Sequence, residues 1–371
     1  MPAILTIFTY LLILGMVAGF FMHRSDYCLA GAFRDLFLFR SVHRLFSLVF
    51  LVAVSALLFE LFNRLGWLPA YPFPWFSQPS LSNLLGGFIF GVGMVLAGGC
   101  VVGVLYKFGG GSLLAGVAIV GLFVGSGIYA EFHSGWVAFA QATRLHNTAV
   151  TLPQLTGTST LPWALLLVVT GAYFSWRWWQ KEGGRPGIRA EGYIPLWITA
   201  VALAVIGSGS VLVAGVPLGV TTSYAKIAAW FETIIAPEHV GKLAFFTMQP
   251  ASLSLPGLPG VMTGGAGPQW DVVALVQYPL IIGIIVGAMI SAMLLGEFRF
   301  PRRLPWRQVV VVFTGGVVMA LGSRMAPGCN VWHLMGGLPM LGLQSLLFVA
   351  GLLPGAWVGG VVLERIIVRG E

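Results

Sequence analysis

Long apolar runs parted by short polar links dominate this chain from end to end. Residues 3–22, 45–62, 81–105, 113–130, 161–176, 195–214, 272–295, 309–325 and 340–367 are expected to cross a bilayer, about nine crossings in all. Within hydrocarbon only helices and closed barrels satisfy their own backbone polar groups, and runs of this length suit helices. The pattern therefore predicts an all-α polytopic membrane protein.

The links between the runs set its orientation. The segment after the first run holds His23, Arg24, Asp26, Arg34, Asp35, Arg40 and Arg44, whereas the next link, Trp67 to Pro79, is aromatic and proline-rich without charge. Lys107 marks the third link, and residues 131–160 read as a polar outer loop. Arg177, Lys181, Arg185 and Arg189 follow the fifth run, beside the cluster Trp176-Arg177-Trp178-Trp179. Residues 215–269 read as an outer segment with an amphipathic helix over 224–235, and Glu297 to Arg307 as a further basic link. Lysine and arginine accumulate on the cytoplasmic side of membrane proteins, and tryptophans gather at the interfaces. The N-terminus is expected outside and the C-terminus inside, with residues 3–22 a retained helix rather than a cleaved signal.

Composition agrees. The chain is 57% hydrophobic and only 9% charged, so the net charge of +8 belongs to the links and not to a nucleic-acid surface. The 50 glycines are dispersed, as suits closely packed or broken membrane helices. The three cysteines, Cys28, Cys100 and Cys329, form no CxxC pair, which argues against a disulfide framework or a zinc site. No nucleotide motif, haem-ligand pair or metal cluster stands out, and no cofactor is expected.

The glycines gather around two of the thiols. Ala97-Gly98-Gly99-Cys100 ends one apolar run, and Ala326-Pro327-Gly328-Cys329-Asn330 ends another. Superposed on their cysteines, Gly86-Gly87 falls on Gly315-Gly316, Gly93 on Gly322, Ala97 on Ala326 and Gly99 on Gly328. The first run points inward and the second outward, so the chain is expected to hold an inverted-topology repeat, with halves 1–190 and 191–371. In transporters of this architecture, broken helices meet near the midplane. Backbone freed from a helix is tolerated at membrane depth where it lines a pathway. Small anions suit the exposed N–H groups there, and thiols add weak donors.

The segments Asp26-Tyr27-Cys28-Leu29-Ala30-Gly31-Ala32-Phe33-Arg34-Asp35, Gly91 to Cys100 and Gly322 to Asn330 resemble, in that order, the YeeE/YedE family of sulfur transporters. The resemblance implies uptake of thiosulfate across a bacterial inner membrane. It further implies that Cys28, Cys100 and Cys329 line a central route and relay the ion by hydrogen bonds to sulfur. A cytoplasmic sulfur-carrier protein as partner is implied too, and selenium or other reduced-sulfur species are alternative cargo. Pro327 stands where the family usually has glycine.

Other residues carry weaker signals. Gly99 and Gly328 are expected to open the backbone. Arg324 could attract an anion or snorkel to the surface, Asn330 could line the route or cap a half-helix, and Lys107 could hold the ion at the inner exit. His333 reads as a structural or interfacial histidine, Arg34 and Asp35 as surface structure in which each pairs with the other's neighbours. Glu60 and Glu364 lie near helix ends and suggest no proton relay. A thiol-dependent membrane sulfurtransferase is the competing class. It is disfavoured by the missing CxxC and by the lack of a base beside each thiol.

Overall fold

A computed structural model describes the chain except residues 1, 39, 69, 74–75, 182–190, 256–257, 259, 301–302 and 366–371. The expected linker charges Arg185, Arg189 and Arg369, and the expected division at residue 190, fall on or beside segments outside the described residues.

The first group of elements is α1 (Pro2–Ser25), α2 (Leu29–Leu38), α3 (His43–Arg64), α4 (Leu81–Leu96), α5 (Val101–Gly109) and α6 (Leu113–Ala142). After α7 (Leu152–Thr156) and α8 (Thr160–Lys181) come α9 (Leu196–Ala214), α10 (Thr221–Ile235), α11 (Pro237–Lys242) and α12 (Ala244–Thr247). A two-stranded antiparallel hairpin, β1 (Ala251–Leu253) with β2 (Met262–Gly264), leads into α13 (Val272–Leu294) and α14 (Trp306–Met325). A short π-helix (Trp332–Gly337) and α15 (Leu343–Leu363) complete the order. The chain is a multi-pass, almost wholly helical membrane protein. Among the described residues, 8 helical segments are long and apolar enough to cross a bilayer. The remaining expected run, 161–176, forms α8, which packs along α3.

Packing repeats across the molecule. α1 lies along α13 as α9 lies along α3, and α4 lies along α15 as α14 lies along α6. Likewise α2 touches α15 and α3, while α10 touches α6 and α13. Each of these contacts has its counterpart when α1–α6 are matched in order with α9, α10, α13, α14, the π-helix and α15. At the centre α4 and α14 run antiparallel, in contact close enough to require glycine. A Cβ on Gly86 would stand 2.6 Å from the Ala326 nitrogen, and one on Gly315 2.3 Å from the Ala97 nitrogen. These are the positions that the glycine pattern superposes.

Three segments differ from the sequence reading. Residues 131–142, expected in a loop, extend α6, because the half-buried His133, Trp136, Val137 and Ala140 continue the face of Ala130 at helical spacing. The charged link after α1 contains α2, which buries Leu29, Ala30, Ala32 and Phe33 inside the bundle. The segment 215–269, expected outside, adds α11, α12 and the hairpin to the expected amphipathic helix. Its anchor is Lys226, whose Nζ donates to the carbonyls of Gly267 and Gln269 and to Asp271 Oδ2 at 2.8, 2.8 and 2.7 Å. Asp271 in turn accepts from the amides of Val273 and Ala274 and so caps α13.

Candidate functional site: three thiols at three helix breaks

Each cysteine stands where one helix has stopped and another is about to start. At the end of α4, Gly98 turns left-handed (φ 70) and the Gly99 amide donates back to the Met94 carbonyl at 3.1 Å. This six-to-one closure is the Schellman ending. Cys100 then takes an extended backbone and becomes the N-cap of α5, its Sγ accepting from the Gly103 amide at 3.2 Å. At the end of α14 the Gly328 amide donates to the Ser323 carbonyl at 2.9 Å, at the matching offset, and Cys329 precedes the next helical turn. At the end of α1 the Tyr27 amide donates to the Met22 carbonyl at 2.9 Å, and Cys28 precedes α2. Here the left-handed position is taken by Asp26 (φ 48).

The consequence is electrostatic. The first N–H groups of a helix have no intrahelical partner and carry partial positive charge. The Gly31 amide points at Cys28, that of Gly103 at Cys100, and those of Val331 and Trp332 at Cys329. All three thiols are buried. Cys28 and Cys100 also face one another: a Cβ on Gly103 would stand 3.3 Å from Cys100 Sγ and 3.4 Å from Cys28 Sγ. Glycine at this position leaves the space between the two sulfurs open.

A cavity of about 810 Å³ reaches the break at Gly328 from the face that bears the hairpin. Arg324 and Arg144 line it with Tyr129, His133, Thr222 and Gln277, and no carboxylate lies among its described lining residues. Arg324 is half-buried, with a fully buried Nε that has no partner among the described residues; its Nη1 reaches Thr222 Oγ1 at 3.5 Å. Thr222 belongs to the first turn of α10, where Thr221 and Thr222 line the same cavity and the Ser223 amide donates to Gln277 Oε1 at 2.9 Å.

The other expected residues fall around the breaks. Asn330 is fully buried, and neither of its amide atoms is hydrogen-bonded among the described residues. Gly328 is held by close approach, since a Cβ there would meet Trp332 Cδ1 at 2.6 Å and His333 Nε2 at 2.9 Å. Lys107 bends back so that its Nζ donates to the Gly98 carbonyl at 2.5 Å, closing the end of α4. Gly99 supplies the six-to-one amide. His333 is structural and buried: it stacks on Phe348 at 4.0 Å, with Nδ1 against Ser345 Oγ and Nε2 against the Ala326 carbonyl. Glu60 is buried and held by Arg64 at 2.8 Å and the Thr160 hydroxyl at 2.7 Å. Arg34 and Asp35 pair with one another at 2.9 Å, and Asp35 also takes Arg44 at 3.1 Å.

The sulphur transport family matches the chain over residues 24–358, a span that contains all three cysteine breaks. The chain is 29% identical over 370 residues to the thiosulfate transporter TsuA of Spirochaeta thermophila, covering 95% of this chain and 98% of that protein. To the thiosulfate transporter TsuA of Escherichia coli K12 it is 26% identical over 351 residues, covering 93% and 92%. The probable transporter YedE of Salmonella typhimurium matches a shorter region, 30% identical over 178 residues, 46% of this chain and 41% of that protein.

Proposed function

Because the chain belongs to the sulphur transport family, we propose that it carries thiosulfate through the membrane along the three thiols. The observation that carries this reading is the repeated break, three buried cysteines each set at the start of a helix. Thiosulfate is a dianion with a soft terminal sulfur, and an unpaired anion in hydrocarbon is very costly. Helix N-termini offset that cost with N–H dipoles, and each thiol adds a weak donor. Weak stations in series allow entry and release, as conduction requires.

The ion enters the cavity, where Arg324, Arg144 and the first turn of α10 concentrate anions. It passes Asn330 and Gly328 to Cys329, then Cys100, then Cys28. Asn330 offers a buried amide donor with no partner among the described residues. Lys107 holds the Gly98 carbonyl away from the anion, and Gly99 keeps the approach to Cys100 free of side chain. In this reading segments 1–190 and 191–371 are the two halves around the route. The cavity faces the outside of a bacterial inner membrane, the basic links lie in the cytoplasm, and a cytoplasmic sulfur-carrier protein receives the unchanged cargo. No chemical step on the cargo is involved.

The test is uptake of radiolabelled thiosulfate by cells that lack their own uptake system. Wild type is run beside Cys100→Ala, Cys329→Ala and Cys28→Ala at matched membrane levels. Each variant should lose at least about tenfold, roughly 1.4 kcal/mol in the barrier. Full uptake by all three would overturn the thiol route. Absence of uptake by correctly inserted wild type would overturn thiosulfate as cargo and turn the assay to selenium and other reduced-sulfur anions.

A further inference from the structure

We propose that Arg44 forms an anion-binding station on the far side of Cys28, which receives the ion as it leaves the last thiol. The proposal rests on the direction of the route given above. The guanidinium of Arg44 lies at the start of α3 and is divided among distinct neighbours. Its Nη2 pairs with Asp26 Oδ2 at 2.6 Å and its Nε with Asp35 Oδ2 at 3.1 Å. The remaining Nη1 lies against the start of α2: a Cβ on Gly31 would stand 2.9 Å from Arg44 Nη1 and 3.2 Å from Cys28 Cβ. A cation thus stands immediately behind the thiol that the other two lead to.

The two carboxylates are not equivalent. Asp35 is 13% exposed and is also held by Arg34, so it fixes the guanidinium in place. Asp26 is 50% exposed and sits on the left-handed turn that ends α1. Its other oxygen accepts from the Tyr106 hydroxyl at 3.3 Å. Asp26 is therefore the ligand that a competing anion can displace into solvent. Displacement frees Arg44 Nη2 and the buried Tyr106 hydroxyl together, two donors beside the Cys28 thiol. A planar guanidinium that donates to two acceptors at once suits a tetrahedral oxyanion. Asp26 returning to Arg44 then expels the ion, so the carboxylate serves as the release group.

The packing pattern supports this placement from a second direction. α2 is the counterpart of α10 in the repeated contacts, and α10 has the Arg324 guanidinium beside its first turn. A guanidinium thus stands near the start of each of these matched helices, Arg324 at the cavity end and Arg44 at the opposite end.

The experiment measures the charge preference of Cys28 and uses no thiosulfate. Full-length protein in detergent is treated with an anionic methanethiosulfonate (the ethylsulfonate) or a cationic one (the ethyltrimethylammonium). The rate of modification at Cys28 is followed by peptide mass spectrometry. Wild type should react faster with the anionic reagent. Asp26→Asn, which keeps Arg44 and its Asp35 anchor, should raise the anionic-to-cationic ratio several-fold. Arg44→Gln should lower the ratio at least about tenfold, and Arg44→Lys, which keeps the charge without the fork, should lie between. An unchanged ratio in both Asp26→Asn and Arg44→Lys would overturn the station, as would a Cys28 that neither reagent reaches. An unchanged ratio beside normal thiosulfate uptake would remove Arg44 and keep the transport reading. A shifted ratio in a chain that takes up no thiosulfate would keep the anion station and remove that cargo.

Discussion

A Cβ on Gly93 would stand 2.3 Å from the amide nitrogen of Met319, and the same relationship recurs between Gly322 and Phe90 at 2.4 Å. The two contacts are counterparts across the α4–α14 crossing, and both set backbone against backbone. Neither neighbour can yield by rotating a side chain. Gly93→Ala and Gly322→Ala should each destabilise by about 1–3 kcal/mol, and by similar amounts. Thermal unfolding in detergent measures this, with Gly127→Ala as control, because a Cβ there meets nothing within 4 Å. A silent Gly93→Ala, or effects that differ widely between the counterparts, would contradict the crossing described.

The thiol of Cys100 caps α5 and, in the proposed route, also presents sulfur to the ion. Serine is among the strongest N-cap residues, whereas alanine lacks the acceptor and costs about 1 kcal/mol at such a position. Cys100→Ser should therefore keep thermal stability above that of Cys100→Ala, while thiosulfate uptake falls in both. Uptake retained by the serine variant would show that any capping oxygen suffices and that sulfur is not what the ion meets.

Lys226 and Asp271 form a pair that is nearly inaccessible to solvent, with side-chain exposures of 1% and 8%. Removing one member of such a pair leaves the other charge buried and typically costs about 3–5 kcal/mol. Lys226→Met should lower the unfolding midpoint sharply and loosen the hairpin against α13, which is readable as faster proteolysis within residues 244–268. The double variant Lys226→Met/Asp271→Leu should recover part of the loss, since no unpaired charge remains.

Much of this architecture is legible in the chain. The apolar runs mark the helices, and the glycine spacing marks the α4–α14 crossing, because backbone contact at fixed offsets admits no other residue. The breaks before Cys100 and Cys329 show for the same reason. The equal standing of Cys28 does not. Its helix ends in the same six-to-one closure, but Asp26-Tyr27 occupies the places of Gly98-Gly99, so a search on glycine passes it by. Aspartate tolerates the left-handed turn at a modest cost. α2 was hidden by its charges: Arg34 and Asp35 suggest a solvated link, yet they follow a fully buried first half, Leu29 to Phe33, of the same helix. Arg44 reads as one more cytoplasmic arginine, since only the tertiary fold sets it behind Cys28.

The face that bears the hairpin carries a group poised to respond to pH. His239, in the first turn of α11, places Nε2 at 2.7 Å from Glu131 Oε1 on α6 and 3.4 Å from Glu232 Oε1 on α10. The hydrogen bond and charge of Glu131, followed by the charge of Glu232, raise its pKa above the ordinary 6.5, while slight desolvation and nearby Lys242 oppose the rise. A histidine whose pKa is raised on folding stabilises the folded state below its unfolded pKa, and that contribution disappears as pH climbs through the raised value. The link between α6 and the α10–α11 corner should therefore be present near pH 6 and vanish above the raised pKa. Unfolding midpoints of wild type and His239→Gln should differ most at about pH 6 and converge by about pH 9. A difference that stays constant across this range would mean that His239 acts through packing alone, and one that widens with pH would reverse the sign of the linkage argued here.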